Sequence, residues 1–353
     1  MQIVSITREP YRAALRTPFV TALRRVESLE SRMVRIVTQE GYVGLGEAVA
    51  TPQITGETTE SIEAGFADIA ARFKAASPHS LEAALALLDK SEARTPTKAA
   101  FESALFAIAA QKSGVPLWRM LQRYAGVEAT PTLTLHTDIT VSFNDTPTTL
   151  RDVQDALARG YRHLKIKLGA TIDTEAARIE TVVNIVPKDV TLRLDANQAW
   201  SAQESVAFLQ RLEAQGIVCE CIEQPVKADD VDGLAYIKRR CQTPVLADES
   251  VFSYAQAQRL IAQDAADMLN IKLAKTGGFR EAIRIATLCR EHHIPAMIGC
   301  MLEGPVAIAA AAHFTAAFGD VVKLVDLDAV ALLKEPPNPT DVVFEESRII
   351  LPH

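Results

Sequence analysis

The sequence predicts an α/β protein built around a closed parallel (β/α) barrel of the TIM type, preceded by a separate α+β unit. One observation is a repeat: charged residues that each end a short apolar run recur about 24 to 28 residues apart, with one interval of about twice that length. A second is that strand-like and helical segments alternate from about residue 130 onward. A repeat of this length matches one strand plus one helix of a barrel. The six repeating residues are Lys167, Asp195, Glu223, Asp248, Lys272 and Asp326.

The composition is that of a soluble, folded protein. The chain has 353 residues, of which 48% are hydrophobic, and a formal net charge of −7. An acidic chain is a poor partner for nucleic acid or an anionic membrane. The first residues carry scattered charges without an apolar core, so we expect no signal peptide, and no run is long enough to predict a membrane span. Five cysteines without a C-x-x-C pair predict neither a disulfide framework nor a zinc site. We therefore expect a cytoplasmic protein.

The N-terminal unit, residues 1–125, begins with alternating apolar and polar residues that predict strands and a hairpin. From about residue 61 the apolar spacing becomes helical, with Ser77 and Ser80 as candidate caps. Helices that follow a meander, rather than alternate with strands, indicate a separate α+β domain. We expect the tail, residues 330–353, to pack back on this unit.

Residues 126–329 should form the barrel. An open doubly wound sheet is the alternative, but no G-x-G-x-x-G follows a predicted strand. The predicted helices include 174–186, 202–216, 253–264 and 279–293. The eight predicted strands lie near 131–141, 163–168, 190–196, 218–224, 244–248, 268–273, 295–301 and 322–328.

Three acids, Asp195, Glu223 and Asp248, end the third, fourth and fifth predicted strands, so they should lie side by side at the barrel mouth. Clustered carboxylates raise one another's pKa unless a cation is present. A hard divalent ion such as Mg²⁺ resolves this conflict. The alternative is that each acid pairs with a nearby Lys or Arg, or caps the next helix.

Three lysines belong to the same mouth. Lys165 and Lys167 lie two apart on the second strand and face the same side. Lys272 ends the sixth strand, which lies half a turn away, so Lys167 and Lys272 should face each other across the mouth. A lysine that acts as a base must have its pKa lowered from about 10.4 to about 7–8. The alternative is that all three amines only neutralise the acids.

Asp326 and Asp328 share a face on the eighth strand, opposite the expected metal. Two acids there would attract a cationic group such as a substrate ammonium, although pairing with Lys165 is the alternative. Further candidates for contact with a ligand are Thr140, Cys300 and Met301, at the ends of the first and seventh strands. We find no G-x-S-x-G or Walker-type motif, which argues against serine hydrolase or nucleotide triphosphate chemistry.

Together these motifs resemble the muconate cycloisomerase branch of the enolase superfamily. The motifs are K-I-K, L-D-A-N-Q, E-Q-P, A-D-E-S and N-I-K-L-A-K-T-G-G on strands two to six, and the D-x-D of strand eight narrows the resemblance to the dipeptide epimerases. The resemblance spans nearly the whole chain. It implies a modified (β/α)7β barrel under an N-terminal capping domain, with Mg²⁺ held by Asp195, Glu223 and Asp248.

The resemblance also implies roles and a substrate. Lys167 and Lys272 match the two acid/base lysines, Lys165 matches a residue that stabilises the enediolate, and Asp326 with Asp328 matches the pair that holds the ammonium of a dipeptide. Arg24 matches an arginine that pairs with a glutamate side chain in Ala-Glu epimerases. The segment G-C-M-L-E-G departs from the form expected of those enzymes and implies a different pocket wall.

The alternatives are other enolate reactions with the same lysines: N-acylamino acid racemisation, o-succinylbenzoate formation or muconate cycloisomerisation. The D-x-D pair argues against them, because their substrates have no free ammonium. A non-catalytic barrel that binds a metal or a peptide would not explain amines on two sides. By analogy with the family, a homo-oligomer is expected.

Overall fold

The structure is a computed structural model that describes residues 2–21 and 25–353. Arg24, the predicted contact for an acidic side chain, lies outside the described residues. Among those that are described, every helix is too short or too polar to cross a lipid bilayer.

The N-terminal part begins with an antiparallel meander of three strands in the order β1-β2-β3. The strands are β1 (Ile3–Val20), β2 (Arg25–Thr38) and β3 (Val43–Val49). Alternating side chains of β2 are buried, which is the period of a strand with one face against a core. On β3, Gly46 lies so close to the next helical layer that a Cβ atom would overlap the carbonyl of Ala100. A glycine is therefore required for this close contact between sheet and helix.

Four helices follow the meander. They are α1 (Thr59–Ala76), α2 (Leu81–Asp89), α3 (Thr95–Lys112) and α4 (Leu117–Ala125). The Ser80 hydroxyl accepts the Ala83 N–H and caps α2 as predicted, whereas Ser77 ends α1 in a left-handed conformation. Most residues of α3 are buried, because this helix packs against the meander and also against the barrel.

The second half of the chain forms one parallel sheet of eight strands in sequential order. The strands are β5 (Ile139–Val141), β6 (His163–Lys167), β7 (Thr191–Asp195), β8 (Cys221–Glu223), β9 (Val245–Ala247), β10 (Met268–Ile271), β11 (Ala296–Gly299) and β12 (Val322–Asp326). At the seam between β5 and β12, the Asp138 N–H donates to the Val325 carbonyl at 3.2 Å. Sequential order confirms the barrel, whereas a doubly wound sheet would reverse its order at a switch point.

Helices cross over between successive strands. They are α5 (Thr146–Ala158), α6 (Ile172–Val183), α7 (Ala202–Glu213), α8 (Val231–Lys238), α9 (Tyr254–Ala262), α10 (Leu273–Thr276), α11 (Phe279–Glu291) and α12 (Pro305–Ala317). After β12 only the four-residue α13 (Ala329–Leu332) follows within the barrel. Seven long strand-to-strand connections and a last strand without a full helix are the (β/α)7β arrangement.

The prediction of one continuous strand over residues 131–141 was wrong. This segment consists of β4 (Thr134–His136) and β5, which are separated at Thr137 and Asp138. Of these, β4 pairs with the last strand, β14 (Arg348–Ile350), which also pairs with β13 (Val343–Glu345), so that the three form a separate sheet. The tail also contacts the N-terminal meander, because the Lys334 N–H donates to the Ala14 carbonyl at 2.8 Å.

Candidate active site

All six repeating charges lie buried at one end of the barrel. Four of them end a strand, and the other two, Asp248 and Lys272, follow β9 and β10 by one residue. Parallel strands deliver the side chains at their C-terminal ends to one face of the barrel. A single pocket there is lined by Lys167, Lys272 and Asp326 together with residues of the N-terminal meander and its following loop.

Asp195 and Glu223, which are neighbours in the sheet, contact lysine amines of β6. The Lys167 Nζ atom lies 2.5 Å from Asp195 Oδ2. The Lys165 Nζ atom lies 3.2 Å from Asp195 Oδ2 and 2.7 Å from Glu223 Oε2. The contact to Glu223 lacks hydrogen-bond geometry, since Oε2 has no hydrogen-bond partner.

Asp248 is bound by two other lysines. The Lys272 Nζ atom lies 2.7 Å from Asp248 Oδ2, and the Lys275 Nζ atom lies 2.5 Å from Oδ1. Lys275 also donates to the backbone carbonyls of Asp248 and Asn270. Sequence reasoning missed Lys275; its signal was the spacing of three from Lys272, which places Lys272 at the N-cap of α10 and Lys275 within its single turn.

The electrostatics of this region reflect buried acids that repel one another. Burial, and then the charge of Asp195, raises the pKa of Glu223 to about 7. Burial, and then the charge of Asp248, raises the pKa of Glu249 to about 8. Burial alone would lower the pKa of Lys272, but Asp248 and Glu223 outweigh it and hold that pKa above its usual value. This arrangement favours the ammonium form of Lys272.

The residues present fit a hard divalent cation. Acids at this end of the barrel outnumber amines, and several buried oxygen atoms lack a hydrogen-bond partner. The acids are Asp195, Glu223, Asp248, Glu249, Asp326 and Asp328, and the amines are Lys165, Lys167, Lys272 and Lys275. The oxygens without a partner include Glu223 Oε2, Glu249 Oε2 and Asn197 Oδ1. Carboxylate and amide oxygens are the ligands that Mg²⁺ takes.

A second trio of carboxylates lies nearby. Asp138, Asp326 and Asp328 each offer one oxygen within 4.8 Å of the others, which is the closest such grouping among the described residues. Two of its members already have fixed partners. The Asp138 carboxylate accepts from Arg193 at 2.7 Å, and Asp328 Oδ2 accepts the Thr140 N–H at 2.6 Å. We therefore favour the first trio for a metal, because its counter-charges are lysines on flexible stems rather than a fixed guanidinium.

Asp326 and Asp328 form a separate acidic sector of the mouth. Asp326 Oδ2 lies 2.8 Å from the Lys165 Nζ atom, so the predicted pairing with Lys165 exists, while Asp328 is held by the backbone N–H of Thr140. Burial would raise the pKa of Asp326, but Lys165 lowers it to about 2. Burial, and then Asp326, raises the pKa of Asp328 to about 6.

The remaining wall of the pocket is mostly apolar. It combines Phe19 and Ile54 from the N-terminal part with Met301 and Leu302 from the loop after β11. The predicted contacts Thr140, Cys300 and Met301 all line the pocket. The loop after β11 is fixed from the N-terminal part: the buried carboxylate of Glu47 accepts the Gly304 N–H at 2.9 Å and the Ser31 hydroxyl at 2.6 Å.

Family models match both halves of the chain. Residues 3–122 match the mandelate racemase / muconate lactonizing enzyme N-terminal domain, and residues 148–353 match the enolase C-terminal domain-like family. The class defined by fold and site is thus a barrel enzyme with a capping domain. The chain belongs to the enolase superfamily, in its mandelate racemase and muconate lactonizing enzyme branch.

Within this branch the chain is similar to dipeptide epimerases. It is 37% identical to the L-Ala-D/L-Glu epimerase of Bacillus subtilis over 100% of this chain and 95% of that protein. It is also 37% identical to the L-Ala-D/L-Glu epimerase of Clostridium acetobutylicum over 96% of this chain and 92% of that protein. These relatives confirm the predicted superfamily and its dipeptide epimerase group.

Solved structures agree in fold. The substrate-liganded B. subtilis epimerase has a TM-score of 0.93, with 37% identity over 100% of this chain and 97% of that one. The dipeptide epimerase of Enterococcus faecalis, complexed with Mg and L-Leu-L-Tyr, has a TM-score of 0.92, with 33% identity over 100% of this chain and 98% of that one. They confirm the barrel with its capping domain and the prediction of a Mg²⁺-dependent isomerase.

Proposed function

We propose that this protein is a Mg²⁺-dependent dipeptide epimerase that inverts the α-carbon of the C-terminal residue of L-Ala-Xaa-type dipeptides by two-base 1,1-proton transfer through an enediolate. The observation that carries this proposal is the position of two amines. Lys167 and Lys272 line one pocket, and their strands β6 and β10 are separated by three strands in either direction around the eight-stranded ring. The activities named for the relatives support the same reaction.

Two amines on opposite sides of one carbon atom explain inversion. One lysine, as a free amine, takes the α-proton from one face of the substrate carbon. The other lysine, as an ammonium ion, delivers a proton to the opposite face, and the stereocentre inverts. For the reverse epimer the two lysines exchange roles, so each must carry a proton in one direction and lack it in the other.

Asp195, Glu223 and Asp248 are the proposed ligands of Mg²⁺. When bound, the ion stabilises negative charge on the carboxylate oxygens of the substrate as the α-proton leaves. Lys165 is the proposed second source of positive charge there, since its buried amine contacts Asp195 and Glu223.

Asp326 and Asp328 are the proposed binding site for the free ammonium of the dipeptide. Their sector lies at the end of β12 and is linked to the acid trio by the Lys165 amine, which contacts Asp326 as well as Asp195 and Glu223. This sector disfavours the N-acylamino acid, succinylbenzoate and muconate alternatives, because an amide brings no positive charge to two buried acids and a carboxylate would be repelled by them.

Thr140, Cys300 and Met301 are the proposed contacts along the substrate. The described wall, with Phe19 and Ile54, is apolar and supports apolar C-terminal side chains. Arg24 remains the predicted partner of an acidic side chain. Rates of epimerisation of L-Ala-L-Glu and L-Ala-L-Phe by the wild type and by Arg24→Ala distinguish the two preferences. A loss of activity confined to L-Ala-L-Glu would support the arginine contact.

The decisive experiment is proton exchange. Purified protein with Mg²⁺ and a library of L-Ala-L-Xaa dipeptides in D₂O should incorporate deuterium at the α-carbon of the C-terminal residue, seen as a gain of one mass unit and loss of the α-proton signal. N-succinyl amino acids form a second arm. Protein kept free of Mg²⁺ by a chelator is the negative control. No exchange in any dipeptide would contradict the epimerase proposal, and exchange only in the succinyl arm would favour a racemase.

We further propose a cytoplasmic role in the recycling of peptidoglycan peptides or in general dipeptide metabolism. All five cysteines are free thiols, which supports a reducing compartment. We also propose the division into a capping domain (1–125), a barrel (126–329) and a tail (330–353) that contacts the cap, and assembly into a homo-oligomer.

A further inference from the structure

Asp138 is a buried acid next to the proposed ammonium site that the proposed mechanism does not use. It lies in the break between β4 and β5, with 0% of its surface exposed. One of its oxygens, Oδ2, accepts from the Arg193 guanidinium at 2.7 Å. The other, Oδ1, is inaccessible and has no hydrogen-bond partner. A buried carboxylate oxygen without a partner is costly, so its retention needs a reason.

The position of Asp138 suggests that reason. One oxygen each of Asp138, Asp326 and Asp328 lie within 4.8 Å of one another. The chain supplies two cations to this trio, Arg193 to Asp138 and Lys165 to Asp326. Both cations are shared with further acids: Arg193 also pairs with Glu220, and Lys165 also contacts Asp195 and Glu223. The trio is therefore short of positive charge, and the ammonium of a substrate would supply it.

Arg193 fixes the position of the Asp138 carboxylate, because its guanidinium is itself held by other contacts. Its guanidinium also donates to the Val325 carbonyl at 2.8 Å and pairs with Glu220 at 2.5 Å. Val325 immediately precedes Asp326, so the same guanidinium fixes both Asp138 and the backbone that carries Asp326. Burial, and then the charge of Asp326, raises the pKa of Asp138, as expected for a third acid in a group that is short of positive charge.

We propose that Asp138 is a positioning residue for substrate recognition: held by Arg193, it is the third acid behind Asp326 and Asp328 and gives the pocket its attraction for a primary ammonium. This inference rests on the proposed dipeptide epimerase function. Asp138 acts through the two acids in front of it and through the charge that it adds.

A purely structural role is the competing explanation. The Asp138 N–H already joins β5 to β12, and the Asp138–Arg193 pair could serve only to close the barrel. A structural role would affect every substrate equally, whereas an electrostatic role toward the ammonium affects only compounds that carry one. The test must therefore compare two compounds that differ in the amine alone.

The experiment uses the Mg²⁺-loaded Asp138→Asn variant, with L-Ala-L-Phe and its amine-free analogue propionyl-L-phenylalanine. The amide keeps the shape of the side chain and removes its charge. We expect KM for L-Ala-L-Phe to rise about tenfold with kcat little changed. The affinity for the analogue, measured as a substrate or as a competitive inhibitor, should change less than about twofold. Asp152→Asn, on α5 outside the pocket, is the matched control and should leave both values unchanged.

An unchanged KM for L-Ala-L-Phe in Asp138→Asn would overturn the inference, and so would an equal change for both compounds. If Asp138→Asn does not fold, as judged by its thermal transition, Arg193→Lys provides the test. It keeps the positive charge but loses the fork that fixes Asp138. KM for the dipeptide alone should then rise at least about threefold, and the absence of that rise would overturn the inference.

The two proposals fail in different ways. A wild-type protein that turns over no dipeptide contradicts the epimerase function, and this inference falls with it. A wild-type protein that turns over dipeptides, with variants that do not distinguish the amine, contradicts only the role of Asp138.

Discussion

The two acidic sectors of the barrel mouth contain the same kind of side chain but neutralise it differently. In the sector of Asp195, Glu223 and Asp248, the partners are lysine amines that themselves belong to the proposed chemistry. In the sector of Asp326 and Asp328, Lys165 pairs with Asp326, but backbone and guanidinium donors also take part. The Thr140 N–H holds Asp328, and Arg193 holds the neighbouring Asp138.

This difference indicates that the two sectors have different functional roles. Lysine stems are flexible, so the acids of the first sector can exchange an amine for a dication. In the second sector Asp328 is held by a backbone donor, which is the arrangement expected of a preorganised recognition site, whereas Asp326 shares the Lys165 amine with the first sector. The first sector should therefore control rate and metal dependence, and the second should control affinity for the amine.

The largest effect should come from the lysines of the first sector. Lys167→Ala and Lys272→Ala should each lower kcat for epimerisation at least about 10³-fold, because each removes one of the two proton carriers. Each variant should still exchange the α-proton of one epimer in D₂O, and the two variants should differ in which epimer that is. Chiral chromatography with mass spectrometry measures both quantities.

The exposed Lys323→Ala is the control for these variants and should retain wild-type rates. Full epimerisation in either Lys167→Ala or Lys272→Ala would rule out two bases.

Removal of Mg²⁺ should be the next largest effect. Chelation should abolish epimerisation, and restoring Mg²⁺ to about 100 times its dissociation constant should stabilise the folded wild type by about 2.7 kcal/mol. In Glu223→Gln, which loses a proposed ligand, that stabilisation should shrink. In Asp328→Asn it should persist, because the second sector holds no proposed ligand. Thermal unfolding with and without Mg²⁺ measures this stabilisation. The reverse pattern would mean that the metal binds in the second sector and that the proposed ligands are wrong.

Asp326→Asn should raise KM for dipeptides roughly 10- to 100-fold and lower kcat much less, because it removes one buried negative charge opposite the ammonium. Steady-state kinetics on L-Ala-L-Phe measure the split between KM and kcat. A thermal transition close to that of the wild type is needed as evidence that the variant is folded. Unchanged KM would mean that this sector does not bind the amine.

The smallest effect should be that of pH on the second sector. Burial and Asp326 raise the pKa of Asp328 to about 6, so its negative charge is present at pH 7 and is lost as pH falls through about 6. At pH 5 about one-tenth of this carboxyl group remains ionised, and KM for a dipeptide should be up to about tenfold higher than at pH 7. The substrate's own ammonium stays charged over this range. In Asp328→Asn the KM should depend less on pH, and an unaltered profile would assign the titration to another group.

Much of the first sector could be predicted from the sequence. Strand ends in a barrel repeat at a nearly constant interval, so Lys167, Asp195 and Glu223 could be assigned to one face from spacing alone. The pairing of each acid with a particular amine could not, because it depends on side-chain reach across the mouth. Lys275 was missed for this reason: its amine turns back from α10 to Asp248.

The second sector was predicted less completely. Asp138 was overlooked because 131–141 was expected to be one strand, and nothing local marks a break there. The break depends on partners about 190 to 210 residues away, since the Thr137 N–H donates to the Ser347 carbonyl and the Asp138 N–H to that of Val325. Strand propensity is a local quantity and cannot contain such pairings.

The capping part was predicted in outline, as a meander followed by helices. Its contribution to the pocket depends on how the cap docks on the barrel, which the sequence does not encode locally. Phe19 and Ile54 reach the mouth because α3 packs against both the meander and the barrel, and because Glu47 ties the meander to the loop that begins α12.

The amine of Lys165 also has a consequence for how the two sectors respond to their ligands. It is a shared counter-ion, with its Nζ atom 2.7 Å from Glu223 Oε2 and 2.8 Å from Asp326 Oδ2. A dication bound between the acids of the first sector would repel this ammonium and leave it more fully to Asp326. Occupancy of one sector would thus be communicated to the other through a single side chain.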